Sequence, residues 1–278
     1  MLFEQPKLVY GSRISSFLIA AALAAATLPT LTAAASLDVY LSAPRDQATY
    51  IAGAKTENFN SLPSGSQTKP FNSTIGAYEF SSSSRLVGLN ADQYGGAYGS
   101  RYVSLGAQSG SATPVTLQLT KPATYFGFWW SAGDPNNGLS FYYNDTLLTR
   151  LVTADIITIL NANNGVVTAL NGSHYAKGSY YANPNNGRDA AEPFAYVNIF
   201  AKDTGFNKIV FDNSGLTASG FETDNHSVFS GDASPTLASV FVESGPAIHI
   251  SATPEPNTVA LAGLGVFGFA LLLRRRKQ

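Results

Sequence analysis

The chain has 278 residues, 13% of them charged, with a net charge of −1 and no cysteine. The missing thiols exclude a disulfide framework, a cysteine nucleophile and any thiolate metal site, so stability has to come from packing and sheet hydrogen bonds. From Ser36 to Thr253 there are 11 Lys/Arg against 16 Asp/Glu, a net of −5, which lacks the basic footprint of a nucleic-acid binder.

In chain order, the first feature is an export signal. Lys7 and Arg13 precede the apolar run Phe17 to Leu28, and Ala33-Ala34-Ala35 supplies the small side chains that signal peptidase accepts. The spacing predicts a signal helix over residues 1–35 with cleavage near Ala35, a folding domain over 36–253 and a separate tail over 254–278. An Ala-rich run this short spans a bilayer poorly, which argues against a retained anchor.

The domain reads as strands and turns. Val115, Leu117 and Leu119 alternate with Thr116, Gln118 and Thr120, the period of a half-buried strand, and Tyr125 to Trp130 is a nearly continuous aromatic strand. These two are expected in one sheet. Leu139–Tyr143, Thr146–Leu151, Phe194–Ala201, Lys208–Phe211 and Leu237–Glu243 read as further strands. Asp155 to Leu160 fits a short helix capped by Asp155, or a strand, since its isoleucines are β-branched. The expected fold is all-β, an antiparallel two-sheet sandwich of jelly-roll type.

One pattern recurs three times: Asp134-Pro135-Asn136-Asn137-Gly138, Asn161-Ala162-Asn163-Asn164-Gly165 and Asn183-Pro184-Asn185-Asn186-Gly187. Asn-Gly between strand-like runs signals a tight turn, because both residues tolerate positive φ. The functional alternative is a calcium loop presenting the oxygens of Asp134, Asn136 and Asn137, although the EF-hand spacing and its closing glutamate are missing. Trp129 and Trp130 are the candidate sugar-stacking residues. Adjacent strand residues point to opposite faces, so one indole is expected in the core and the other on the surface. Asp224, Asn225 and His226 form a polar triplet suited to a cation or to sugar hydroxyls, or to closing a turn on their own backbone. There is no Gly-x-Ser-x-Gly elbow, and none of His174, His226 and His249 sits in a His-Glu-x-x-His frame. No catalytic residue is assigned.

The tail runs Pro254-Glu255-Pro256, then the charge-free stretch Val259 to Leu273, then Arg274-Arg275-Arg276-Lys277. Fifteen helical residues at about 1.5 Å each reach about 22 Å, short of a hydrocarbon core of about 30 Å, so the expected transmembrane helix needs local thinning. The cations hold that end in the cytoplasm and leave the domain outside. Two prolines keep the preceding segment extended and out of any sheet. Gly263-Leu264-Gly265-Val266-Phe267-Gly268 spells a dinucleotide fingerprint, but without a preceding strand it carries no such meaning.

This ending, Pro254-Glu255-Pro256 followed by a short apolar helix and the Arg274–Arg276 cluster, resembles the PEP-CTERM sorting signal of substrates of the membrane protease exosortase. The blocks Glu57–Pro63, Asp92–Gly96, Tyr125–Asp134 and Gly220–His226 also resemble the extracellular domain common among such proteins. The resemblance implies signal peptidase and exosortase as partners during export, transient anchoring in the inner membrane, and delivery to the cell surface, outer envelope or extracellular matrix. The expected role is a non-catalytic protein binding extracellular polysaccharide; the alternative is a secreted glycan-active enzyme.

Overall fold

The computed structural model describes residues 36–110, 114–202, 205–213, 219–233, 241–243 and 248–251. The expected signal helix over 1–35 and the sorting tail over 254–278 lie outside the described residues. Among the described residues no helix is long and apolar enough to cross a membrane.

The strands in chain order are β1 (Ser36–Ser42), β2 (Lys55–Glu57), β3 (Gly65–Ser66), β4 (Phe71–Asn72), β5 (Gly76–Glu79), β6 (Val87–Leu89), β7 (Tyr102–Leu105), β8 (Val115–Ala123), β9 (Tyr125–Ser131), β10 (Asn137–Tyr143) and β11 (Thr146–Val152). Helix α1 (Thr153–Gly165) then leads into β12 (Val166–Ala169), β13 (His174–Ala176), β14 (Ala195–Ala201), β15 (Phe206–Asn213), β16 (Phe221–Phe229), β17 (Phe241–Glu243) and β18 (Ile248–Ser251). They form two antiparallel sheets. The larger runs β13-β12-β17-β1-β14-β9-β16-β7-β6-β3, with β18 also on β1 and β2 also on β16; the smaller runs β11-β10-β15-β8-β5-β4.

The core lies between the sheets. In β8 the alternation holds, with Val115, Leu117 and Leu119 buried and Thr116 and Gln118 half-buried. Phe126, Phe128 and Trp130 of β9 join Phe141, Ile209 and Phe211 of the smaller sheet in one apolar cluster. His226 stacks on Phe211 at 5.1 Å across the sandwich. Its ring nitrogens meet the hydroxyls of Tyr78 and Thr223, each at 2.8 Å.

Three sequence expectations change. β8 and β9 belong to different sheets, because the chain switches at Thr124. The Thr124 amide donates to the Phe229 carbonyl and the Thr124 carbonyl accepts from Ala201, both partners in the larger sheet. Asn137-Gly138 opens β10 instead of forming a hairpin, and the two-residue hairpin is Asn144-Asp145 between β10 and β11, with φ of 45° and 67°. The segment from Asp155 belongs to a helix, with Asp155 inside its first turn, where its carboxylate accepts the Val152 amide at 2.8 Å. The helix ends where Asn163, Asn164 and Gly165 all take positive φ.

The register defines two ends of the larger sheet. Ser36, Ala201, Tyr125 and Phe229 lie at one, the near end; Ser42, Ala195, Ser131 and Glu222 lie at the other, the far end.

Candidate functional site at the far end of the sandwich

Both tryptophans are buried, each only 1% exposed. They point to opposite faces as the strand period requires, but both faces of β9 are covered. Trp130 enters the core between the sheets, while Trp129 packs beneath loops with Ala97, Ala132, Phe194 and Tyr196. The expected exposed indole is therefore absent, and neither tryptophan offers a stacking face to a sugar.

The cover over Trp129 is held by the Asp224 triplet. Asp224 and Asn225 sit within β16 at a bulge, where the pairing with β9 shifts register and Asn225 takes φ 49°. The buried Asp224 carboxylate accepts from the Ala97 amide (2.8 Å), the Ser100 hydroxyl (3.0 Å) and the Asn225 amide (2.7 Å). Burial nonetheless pushes Asp224 up to about 7, against the pull of those donors. Asn225 Nδ2 donates to the Gln47 carbonyl at 2.7 Å, and the Gln47 side chain exchanges hydrogen bonds with Asn185. Asn183 and Asn186 donate to the Asp92 carbonyl. The three polar segments around Gln47, Asp92–Ser100 and Asn183–Asn186 are thus tied into one lid, and this use of the Asp224 and Asn225 side chains is architectural.

The Asp134 turn is also internally engaged. Asp134 Oδ2 accepts the Gly220 amide at 2.9 Å, its carbonyl accepts from Asn137 N and the Thr153 hydroxyl, and Asn137 Oδ1 accepts from Asn213 at 2.6 Å. These bonds support the turn reading over the calcium loop. Among the described residues no group of three or more His, Asp or Glu side chains is placed to hold a metal ion.

The open space lies beside this turn. A recess of about 420 Å³ is lined by Pro44, Arg45, Tyr175, Ser179, Tyr181 and Asn183, among others. A second, of about 450 Å³, is lined by Gly133, Pro135, Thr153, Ile157, Tyr181 and Glu192, among others. Tyr181 belongs to both. Its neighbour Tyr180 is buried and donates to the Ser42 carbonyl at 3.0 Å, whereas Tyr181 is half-buried, packed against the core cluster while lining both recesses.

Carboxylates gather at the same end. Burial and the neighbouring Asp189 carboxyl push Glu192 up to about 8, with Asp134 adding to the repulsion. Burial also raises Asp134, and pushes Glu222 up to about 8 although the Ser104 hydroxyl donates to it at 2.8 Å. Ser131 Oγ, Asn136 Nδ2, Asn137 Nδ2, Asp189 Oδ2 and Glu222 Oε2 are buried without a partner among the described residues. Buried polar atoms of this kind are ordinarily met by ordered water, and none of these five residues is among those lining the two recesses.

Sequence reasoning named Asp134, Asn136 and Asn137, none of which is among the residues lining the two recesses, and missed Tyr175, Tyr181, Arg45 and Glu192, which are. The available signal was Tyr180-Tyr181 running into Asn183-Pro184: an aromatic pair entering a turn places one ring out, whereas a pair inside a strand flanked by other strands does not.

The fold and this end of it define an antiparallel β protein with a loop-built, tyrosine-divided cleft. Residues 252–277 match the family model of the PEP-CTERM protein-sorting motif. The chain therefore carries a PEP-CTERM sorting motif, which supports export and targeting to the cell surface through exosortase. No match was found among curated proteins or among solved structures.

Proposed function

We propose that this domain, a sandwich of jelly-roll type, is a non-catalytic binder of extracellular polysaccharide, and that Tyr181 stands at the centre of its site. The signal segment 1–35 is removed by signal peptidase, and the 254–278 tail holds the protein in the inner membrane until exosortase acts. The observation that carries the binding role is the pair of recesses that share one half-buried tyrosine. Sugars combine apolar ring faces with hydroxyls, and here a partly exposed aromatic ring stands between a wall bearing Arg45, Ser179 and Asn183 and a more apolar one closed by Ile157 and Pro193. Retention on immobilised polysaccharides, compared between the parent and Tyr181→Ala, tests this. Loss of retention with an unchanged melting temperature supports it; equal retention removes Tyr181 from the site.

The enzymatic alternative draws on one observation, the raised Glu192 beside Asp189 in the cleft wall. Glycosidases hold their two carboxyl groups at least about 5 Å apart, with the sugar between them. Among the described residues lining the two recesses Glu192 is the one carboxyl, and a single carboxyl does not make such a pair, which favours binding over hydrolysis. Release of reducing sugar that Glu192→Gln abolishes would reverse that preference.

A further inference from the structure

β1 and β18 pair antiparallel with Ser36 opposite Ser251. These are the points at which the described domain meets its two flanking segments. On the N-terminal side, seven residues lie between Leu28, the last residue of the apolar run, and Ser36, a distance of eight Cα steps. On the C-terminal side, seven residues lie between Ser251 and Val259, the first of the tail's apolar stretch, again eight Cα steps. Fully extended, each connection reaches at most about 28 Å. Both connections therefore start from one cross-strand pair at the near end of the larger sheet and have equal reach.

The cleft lies at the other end. β1 runs seven residues away from Ser36 and delivers Pro44 and Arg45 into the first recess; β9 runs the same way from Tyr125 and delivers Gly133 and Pro135 into the second. At about 3.3 Å per residue, a seven-residue strand separates the two ends by about 23 Å. Exposed Lys55 and Lys121 stand at the near end together with Asp232, and the lysines suit an anionic headgroup layer.

We infer that the near end is the membrane-facing surface of the precursor, with a lipid bilayer as its partner, and that the domain stands on the membrane with its cleft directed outward. This rests on the proposal that the tail anchors the chain. The cleft is then open to extracellular ligand before processing as well as after it. Ser36 and Ser251, the described residues nearest in sequence to the two expected cleavages, then stand paired on the side that faces the bilayer.

The absence of cysteine makes the test clean, because every introduced thiol is unique. The full chain carrying Lys121→Cys or Arg188→Cys, each labelled with an environment-sensitive fluorophore, is reconstituted into phosphatidylcholine/phosphatidylglycerol vesicles containing headgroup spin-labelled lipid. The near-end probe at 121 should be quenched at least about twofold more than the probe at 188, which lies beside the cleft loop. A chain that floats with the vesicles but shows equal or reversed quenching overturns the orientation alone. A chain that does not float overturns the anchoring and the orientation with it. Facing Cα atoms of an antiparallel pair lie within disulfide range, so Ser36→Cys/Ser251→Cys should oxidise to an intramolecular bridge. Failure to form that bridge removes the shared exit on which the orientation depends.

Discussion

The buried histidine makes a stability prediction that can be worked through in numbers. His226 is enclosed by Phe59, Phe126, Phe128 and Phe211, and burial pushes its ring down from 6.5 to about 3. Above pH 6.5 neither the folded nor the unfolded chain protonates it. As pH falls below 6.5 the unfolded chain takes up a proton that the folded chain refuses until about pH 3, so stability is lost across that window. At about 1.36 kcal/mol per pH unit, the loss at pH 4 is about 3 kcal/mol. Glu192 and Glu222, held up to about 8, act in the opposite sense: they stabilise at acid pH and lose that contribution as pH rises through their folded values. The total stability curve therefore mixes both effects, and the informative quantity is the difference between the parent and His226→Phe. At pH 7 the variant should be less stable by about 2–4 kcal/mol, because the Tyr78 and Thr223 hydroxyls lose their ring partners. By pH 4 that gap should close by about 3 kcal/mol. Urea unfolding of the 36–253 domain across this range measures it. A gap that stays constant from pH 7 to pH 4 refutes the claim that the ring is held neutral in the core.

The excised 36–253 domain should give a β-type circular dichroism spectrum, and a helix-dominated one would overturn the fold. Asp224→Ala leaves the Ala97, Ser100 and Asn225 donors unpaired and should cost about 2–4 kcal/mol. It should also speed hydrogen exchange in residues 91–101; unchanged exchange there would show that the carboxylate does not hold the lid. Trp129→Ala removes a fully buried ring and should cost about 3–5 kcal/mol. At a temperature where the variant remains folded it should bind polysaccharide like the parent, and selective loss of binding would return the indole to the site.

Much of the sandwich was legible because period-two alternation is local. β8 declares its buried face through Val115, Leu117 and Leu119, and the edges of β10, β11 and β14 fall within a few residues of where the sequence places them. Sheet membership was not legible. Nothing in Lys121-Pro122-Ala123-Thr124 says that Thr124 bonds to Phe229 and Ala201 in the other sheet, since those partners are distant in the chain. The tryptophans were misjudged for a related reason: alternation tells which face a ring takes, but what covers that face is decided by loops far away, here the segment around Ala97 and Phe194. The same non-locality hid the cleft. Arg45 follows β1 while Tyr181 and Glu192 both lie between β13 and β14, so the two recesses form only when these distant connections fold together, whereas the contiguous sorting tail could be read from its order alone.

The most direct measurement is the intact mass of the protein recovered from the surface of cells that possess exosortase. The account predicts a species beginning near Ser36 and ending near Pro254, so that neither the apolar signal run nor the Arg274–Arg276 cluster remains. A surface species that retains Arg274 to Lys277 would contradict it.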